Sequence, residues 1–507
     1  MKKLKEFLRP LRKDEFNVEN KLSFYNIIFL FILSVAAITV CSKSSPLYPM
    51  NNWDDANCFF TVGKSVMNGK ILYRDIFEQK GPLLYFIYAL AYLISDSSFL
   101  GVYFIEIAAC FLFMLFSANI ILLFCDKKAV LLLPVVTAAI FGSAAFEQGG
   151  SAEELCLPLI ACGVYMGLKA VLTRKPMSGF EWFVTGVTSG MVLWIKFSLL
   201  GFYIGMGIFM LVFYFKNKWN RKILPSLAFL FTGEIAAALP VIIYFVMNRS
   251  VKYLFEVYFY CNLFVYPVGE SSSSFISLLL NLNNGFGSFV WNFGLCLLFM
   301  VLGLIYLFIR SKSLFAYYLS TSVCSFLLLY AGGRRYTYYS FILAVFAPMG
   351  LVMLYKLISL VTIKKKNPGR AAMYSAAAAV FILSVVVMIF SSPNTYMIGY
   401  AKEELPQYKF NDIISQTEDA SMLNYKFLDG GFYTVGGSVP KCRFFCGFNI
   451  PYSVDEQDKY AAEGKTDYII TCNKKYDFEN YECISSEVFE SRKSVFSTYY
   501  LYKKIDQ

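Results

Sequence analysis

NNWDDANCFFTVGKSVMNGKILYRDIFEQKGPLLYF, residues 51–86, sets Asp54, Asp55, Arg74, Asp75, Glu78 and Lys80 between two segments suited to hydrocarbon. How this stretch is read decides the fold, because the apolar run after Lys80 either crosses a membrane or stays on the side it entered. The surrounding chain leaves no doubt that a membrane is involved. Of its 507 residues, 57% are hydrophobic and only 16% are charged, against roughly a quarter charged in soluble proteins. Apolar runs near 20 residues recur from Leu22 to Phe390, long enough for a helix to cross a ~30 Å hydrocarbon core. The fold class is an all-α polytopic membrane protein.

Hydropathy places apolar runs near residues 22–41, 80–95, 98–124, 129–146, 153–173, 180–196, 199–215, 224–247, 287–309, 314–331, 338–361 and 372–391. Basic residues gather on the cytoplasmic side of such chains, so MKKLKEFLRPLRK puts the N-terminus inside. If 80–95 crossed fully, Lys127, Lys128, Arg174, Lys175 and the Lys216–Lys222 cluster would fall outside. If it does not cross, all of them fall inside, together with Arg310, Lys312 and Lys364–Lys366. The second reading satisfies every basic loop, and 80–95 is short for a crossing. About eleven spans are therefore expected, with a membrane-embedded helix in a first outer loop at 42–97. Residues 1–391 form the transmembrane unit. Residues 392–507 form an outer unit, where DYIITC and the turn at Asp429-Gly430-Gly431 suggest a small α/β arrangement. The first apolar run is long and lacks a small-residue cleavage site, so it is expected to stay as a span.

The net charge of +11 sits at span ends, where it sets topology, which excludes nucleic acid as a partner. Thirteen cysteines follow no metal spacing and mostly occupy apolar runs, where Cys behaves as a small hydrophobe. Cys442, Cys446, Cys472 and Cys483 of the outer unit could pair, in a connectivity the sequence leaves open. The chain has no histidine, which removes the commonest general base and metal ligand together. Chemistry falls to carboxylates, lysine, arginine and tyrosine.

On the outer side, the first-loop charges are joined by Glu147, Glu153 and Glu154 in FEQGGSAEELCLP, Lys196 in VLWIKFSLL, and Arg334 and Arg335 in AGGRRYTYY. Each has a plain structural reading. Asp54 or Asp55 could cap a helix, Glu153 and Glu154 could favour a helix N-terminus, Lys196 could snorkel, and Tyr336, Tyr338 and Tyr339 could be interfacial aromatics. Arg334 and Arg335 run against the positive-inside pattern, which favours a buried anion. Three outward cations suit a phosphate at headgroup depth, and a carboxylate beside it suits deprotonation of a hydroxyl nucleophile. No Walker-type loop is present. Together these point to group transfer from a lipid phosphate.

Residues 53–90, WDDANCFFTVGKSVMNGKILYRDIFEQKGPLLYFIYAL, resemble the first outer loop of GT-C glycosyltransferases, in the bacterial branch similar to protein O-mannosyltransferases and lipid A aminoarabinose transferases. The shared pattern is an acidic start (Asp54-Asp55), an amphipathic helix to Met67, a G-x-x-Y-x-D-like turn at Gly69–Asp75, and a Lys-Pro opening, here Lys80-Gly81-Pro82. The resemblance implies an inverting transfer from a polyprenyl-phosphate sugar to a hydroxyl of a cell-envelope glycan, lipid or protein, at a bacterial plasma membrane. It implies Asp54 or Asp55 as the base, with Asp55 the first choice because adjacent helical residues point different ways. Glu153, Glu154 and Asp75 would orient acceptor or sugar, and Lys80, Lys196, Arg334 and Arg335 would hold the lipid phosphate. No cofactor is required, and no metal site is assigned; a divalent cation between Asp55 and Glu154 is compatible with oxygen ligands but not demanded. Two departures stand out: Gln79 and Gly81 spread Glu78 from the Lys-Pro pair, and Tyr338-Tyr339 replaces a His-Tyr pair common in the family. The competing classes are a flippase of lipid-linked sugars and a non-catalytic envelope-assembly protein. The sequence lacks the internal repeats of many transporters, and its outward charge gathers at one face.

Overall fold

The structure, a computed structural model, describes residues 7–12, 15–265, 275–361 and 370–505. The first span, Phe24–Cys41, begins where the Ser23 hydroxyl accepts from the Asn26 amide and the Asn26 side chain returns to the Ser23 N–H. That reciprocal cap satisfies two of the donors a helix start leaves open, and the apolar run carries the rest.

Among the described residues, eight helices are long and apolar enough to cross a membrane, and a ninth is the pair Thr337–Phe346 and Pro348–Leu360, bent by 51°. The sequence leads to about eleven, and the difference has two sources. Ala129–Phe141 is apolar but shorter than a full span. The stretch Gly179–Lys216 counts once, yet it doubles back: the backbone is extended at Lys196, and Trp182 Nε1 donates to the Tyr214 hydroxyl at 3.0 Å. Lys196 thus sits at the turn.

The helix after Lys80 is Pro82–Tyr92, only 11 residues, too short to cross. It packs on the first-loop helix Asp54–Met67, with Phe59 and Tyr88 edge to face at 5.7 Å. At the other end of the bundle the N-terminal segment is held by Arg310, which donates to the Phe7 carbonyl at 2.9 Å and pairs with Glu15.

The C-terminal residues form a four-stranded sheet of β1 (Met422–Asn424), β2 (Tyr468–Cys472), β3 (Tyr481–Arg492) and β4 (Val495–Lys504), in the order β1-β2-β4-β3. β1 runs parallel to β2, and β4 is antiparallel to both its neighbours. Helices Pro406–Ile414 and Pro451–Ala462 complete the expected small α/β unit. Its core is continuous with that of the helical bundle, and three hydrogen bonds bolt it to Asp54–Met67. Thr61 donates to Asp429 Oδ2 at 2.6 Å, Thr434 donates to Asn57 Oδ1 at 2.6 Å, and Lys64 donates to the Tyr433 carbonyl at 2.7 Å. Asp429 belongs to the expected Asp-Gly-Gly turn and accepts from the N–H of Gly431, whose φ is +92°. The outer-unit cysteines do not pair with one another; every cysteine is free, and Cys446 Sγ lies 3.7 Å from Cys58 Sγ of the first loop.

Candidate active site

A cavity of about 320 Å³ lies where the first loop, the Lys196 turn, the Arg334 loop and the C-terminal unit meet. Asp55 enters it from the first turn of Asp54–Met67. Neither aspartate makes a side-chain cap for that helix, so capping does not explain them. Asp55 Oδ2 accepts a 2.7 Å hydrogen bond from the Tyr338 hydroxyl, and Tyr338 is wedged edge to face against Trp53 at 5.2 Å. No hydrogen bond from the described residues reaches Asp55 Oδ1.

Lys80, Lys196 and Arg334 line the same cavity. Gly81 brings Lys80 there: a Cβ at residue 81 would stand 2.0 Å from the Trp194 carbonyl, so only glycine lets the loop lie against the end of Gly179–Lys196. Lys80 Nζ is 3.7 Å from Glu78 Oε1. Glu78 is buried and also accepts from the Tyr85 hydroxyl and from the Lys80 N–H. Burial holds its carboxyl above the usual range, against the Lys80 ammonium that opposes the shift. Lys196 Nζ donates to Glu153 Oε1 at 2.5 Å and sits 4.1 Å above the Tyr339 ring. Glu153 Oε2 is buried without a hydrogen-bond partner. Lys196 is therefore not a snorkelling residue, nor are Tyr338 and Tyr339 interfacial aromatics: they flank its ammonium.

Several expected residues stand elsewhere. Asp54 turns away toward Arg492 and Glu147, which pair at 3.1 Å, and burial pushes its carboxyl up to about 7. Glu154 sits behind the cavity, accepting from the Gly150 N–H at 2.9 Å beside Glu106. Asp75 closes its own turn, accepting from the Ile71 N–H and from Arg74, its neighbour in sequence, and does not line the cavity. Arg335 is exposed, whereas Arg334 faces inward. Asp55 and Glu154 thus do not share a site, as a bridging cation would need. Among the described residues, no three metal-ligating side chains gather.

Glu78, read from the sequence as an outward charge but given no role, lines the cavity, and sequence reading missed Tyr258, Asn262 and Asn449 as lining residues. Asn262 donates to the Gln79 carbonyl at 2.6 Å from a π-wound segment, Leu254–Val265, and Asn449 comes from the C-terminal unit. Nothing in their spacing marks either one. Tyr338 carried a signal, since the Tyr338-Tyr339 pair stood out in the sequence as a departure from the resembled pattern.

No family model matches the sequence, and no curated protein does. Among solved structures, the crystal structure of ArnT from Cupriavidus metallidurans bound to undecaprenyl phosphate superposes with a TM-score of 0.54, at 11% identity, covering 94% of this chain and 97% of that one. The fold is ArnT-like. The apo crystal structure of the same protein gives a TM-score of 0.50 at 10% identity, with the same coverage. As a fold, the likeness covers 94% of this chain.

Proposed function

We propose that the protein is a glycosyltransferase that moves a sugar from a polyprenyl-phosphate donor to a hydroxyl acceptor with inversion. The observation that carries this reading is the meeting of Asp55 with Lys80, Lys196 and Arg334 in one cavity, in a fold whose ArnT relative was crystallised with undecaprenyl phosphate. The acceptor oxygen attacks the anomeric carbon while its proton passes to Asp55 Oδ1. The bond from that carbon to the phosphate oxygen breaks, and the phosphate leaves with its electron pair. A phosphate is stable as an anion, so one base suffices and no general acid is needed.

The three cations stabilise the charge that grows on the departing phosphate. Glu78 and Glu153 hold Lys80 and Lys196 in place before the donor arrives, and the phosphate then takes up part of that pairing. Tyr338 engages Asp55 Oδ2 and leaves Oδ1, which accepts from no described residue, for the acceptor hydroxyl. The positive-inside pattern puts this end of the bundle on the outer side of the membrane. The same pattern supports a plasma-membrane location, where lipid-linked sugars and envelope acceptors meet.

The test is turnover by Asp55→Asn in proteoliposomes supplied with polyprenyl-phosphate sugars extracted from the producing cells, with released polyprenyl phosphate measured by mass spectrometry. Asn can still accept from Tyr338, so donor binding should persist while release falls by about 10²–10⁴-fold, the usual worth of a general base. Unchanged release would remove Asp55 from the chemistry.

A further inference from the structure

We propose that a second cavity, in the C-terminal unit, is a binding site for a neutral sugar residue. It measures about 380 Å³ and lies between helix Pro406–Ile414 and the short helix Phe432–Val435, at the lower end of the roughly 300–1,000 Å³ range of small-molecule sites. It is separate from the Asp55 cavity and shares no lining residue with it.

Its polar groups are unusual in being left over. Gln407 is 1% exposed, and its Nε2 donates to the Gly430 carbonyl at 2.8 Å, yet its Oε1 is buried with no partner. Ser438 Oγ, also in the lining, is likewise buried and unpartnered. No hydrogen bond among the described residues reaches the Asn411 side-chain amide between them. Its Oδ1 lies across the cavity wall, 3.0 Å from where a Cβ on Gly436 would stand. Buried polar atoms in native folds are nearly always satisfied, so two orphans on residues that line one cavity call for a partner from outside the chain.

The chemistry of that partner follows from the lining. Two carboxamides and a hydroxyl offer donors and acceptors side by side, the pattern that adjacent sugar hydroxyls match. Phe432, stacked on Phe410 at 5.7 Å, and Met422 give the wall an apolar part suited to sugar C–H groups. Among the described residues, the charged ones in the lining are Asp419 and Lys441, which neutralise each other at 2.9 Å, and this disfavours an ionic ligand. Behind the lining residue Phe432, Thr434 of the same short helix bonds Asn57, two residues from Asp55, which ties that side of the cavity to the first loop. The site stands whether or not the transfer reaction does.

Saturation-transfer NMR on the full chain, in a detergent without a sugar headgroup, tests this with glucose, galactose and N-acetylglucosamine at millimolar concentration. At least one should receive saturation from the protein. Asn411→Leu fills the cavity and Ser438→Val removes one orphan; neither breaks an internal hydrogen bond, so the thermal midpoint should hold. Each should weaken binding roughly tenfold, as expected when a buried group loses its partner. No transfer to any of the three sugars would overturn the proposal, as would equal binding by wild type and both variants.

Discussion

Replacing Lys196 with Met tests the part of the active site where electrostatics is largest. Lys196 Nζ and Glu153 Oε1 are 2.5 Å apart, with side chains 9% and 0% exposed. At an effective dielectric of about 20 their attraction is roughly 6–7 kcal/mol, while desolvation costs several kcal/mol for each ion. The two nearly cancel, so the pair adds little net stability, but removing one member strands the other. Glu153 is the worse one to strand, since its Oε2 already lacks a partner. Lys196→Met should therefore cost ~3–5 kcal/mol, while Lys196→Met with Glu153→Leu should return to within roughly 1 kcal/mol of wild type. Thermal unfolding of the purified protein reads the stability, and mass spectrometry of co-purifying polyprenyl phosphate reads the ligand. The double variant should recover the first and not the second, because the cation that meets the phosphate is gone. If Lys196→Met is as stable as wild type, the pair is not a buried charge pair. If the double variant keeps its lipid, Lys196 does not hold phosphate.

Three further outcomes are expected. Arg334→Ala should lose co-purifying polyprenyl phosphate, whereas Arg335→Ala should keep it, because only Arg334 lines the cavity; equal loss would show that the arginines act by net charge. Asp54 holds its proton to about pH 7 in the folded chain and to 3.8 ordinarily. The folded state thus binds more protons between those values, and stability falls as pH rises through that window. Asp54→Asn should remove this slope, so the thermal midpoint of the variant should gain on wild type from pH 4 to 7 and then run parallel; a constant difference would refute the burial argument. Finally, Cys58 and Cys446, with sulfurs 3.7 Å apart, should be joined by the thiol oxidant diamide into one cross-linked peptide pair. Its absence after oxidation of the folded protein would argue against the docking of the C-terminal unit on the first loop.

The sequence alone determined the membrane class, the short embedded helix after Lys80 and the small α/β unit, because hydropathy, charge asymmetry and turn chemistry are local and act within one run of chain. It also placed Asp55, Lys80 and Lys196 on a short list, since charges beside hydrocarbon are costly and few. Only the tertiary structure separated Asp55 from Asp54 and Arg334 from Arg335, neighbours of the same type that differ in nothing but direction. It also moved Glu154 and Asp75 out of the cavity, into contacts with Gly150 and Arg74 that satisfy them locally. Asn262 and Asn449 entered from segments far apart in the chain. Which side chains share a cavity depends on how helices pack and where a loop can approach a helix end, as Gly81 does at Trp194. Those are distances between remote residues, and no periodicity along one chain encodes them.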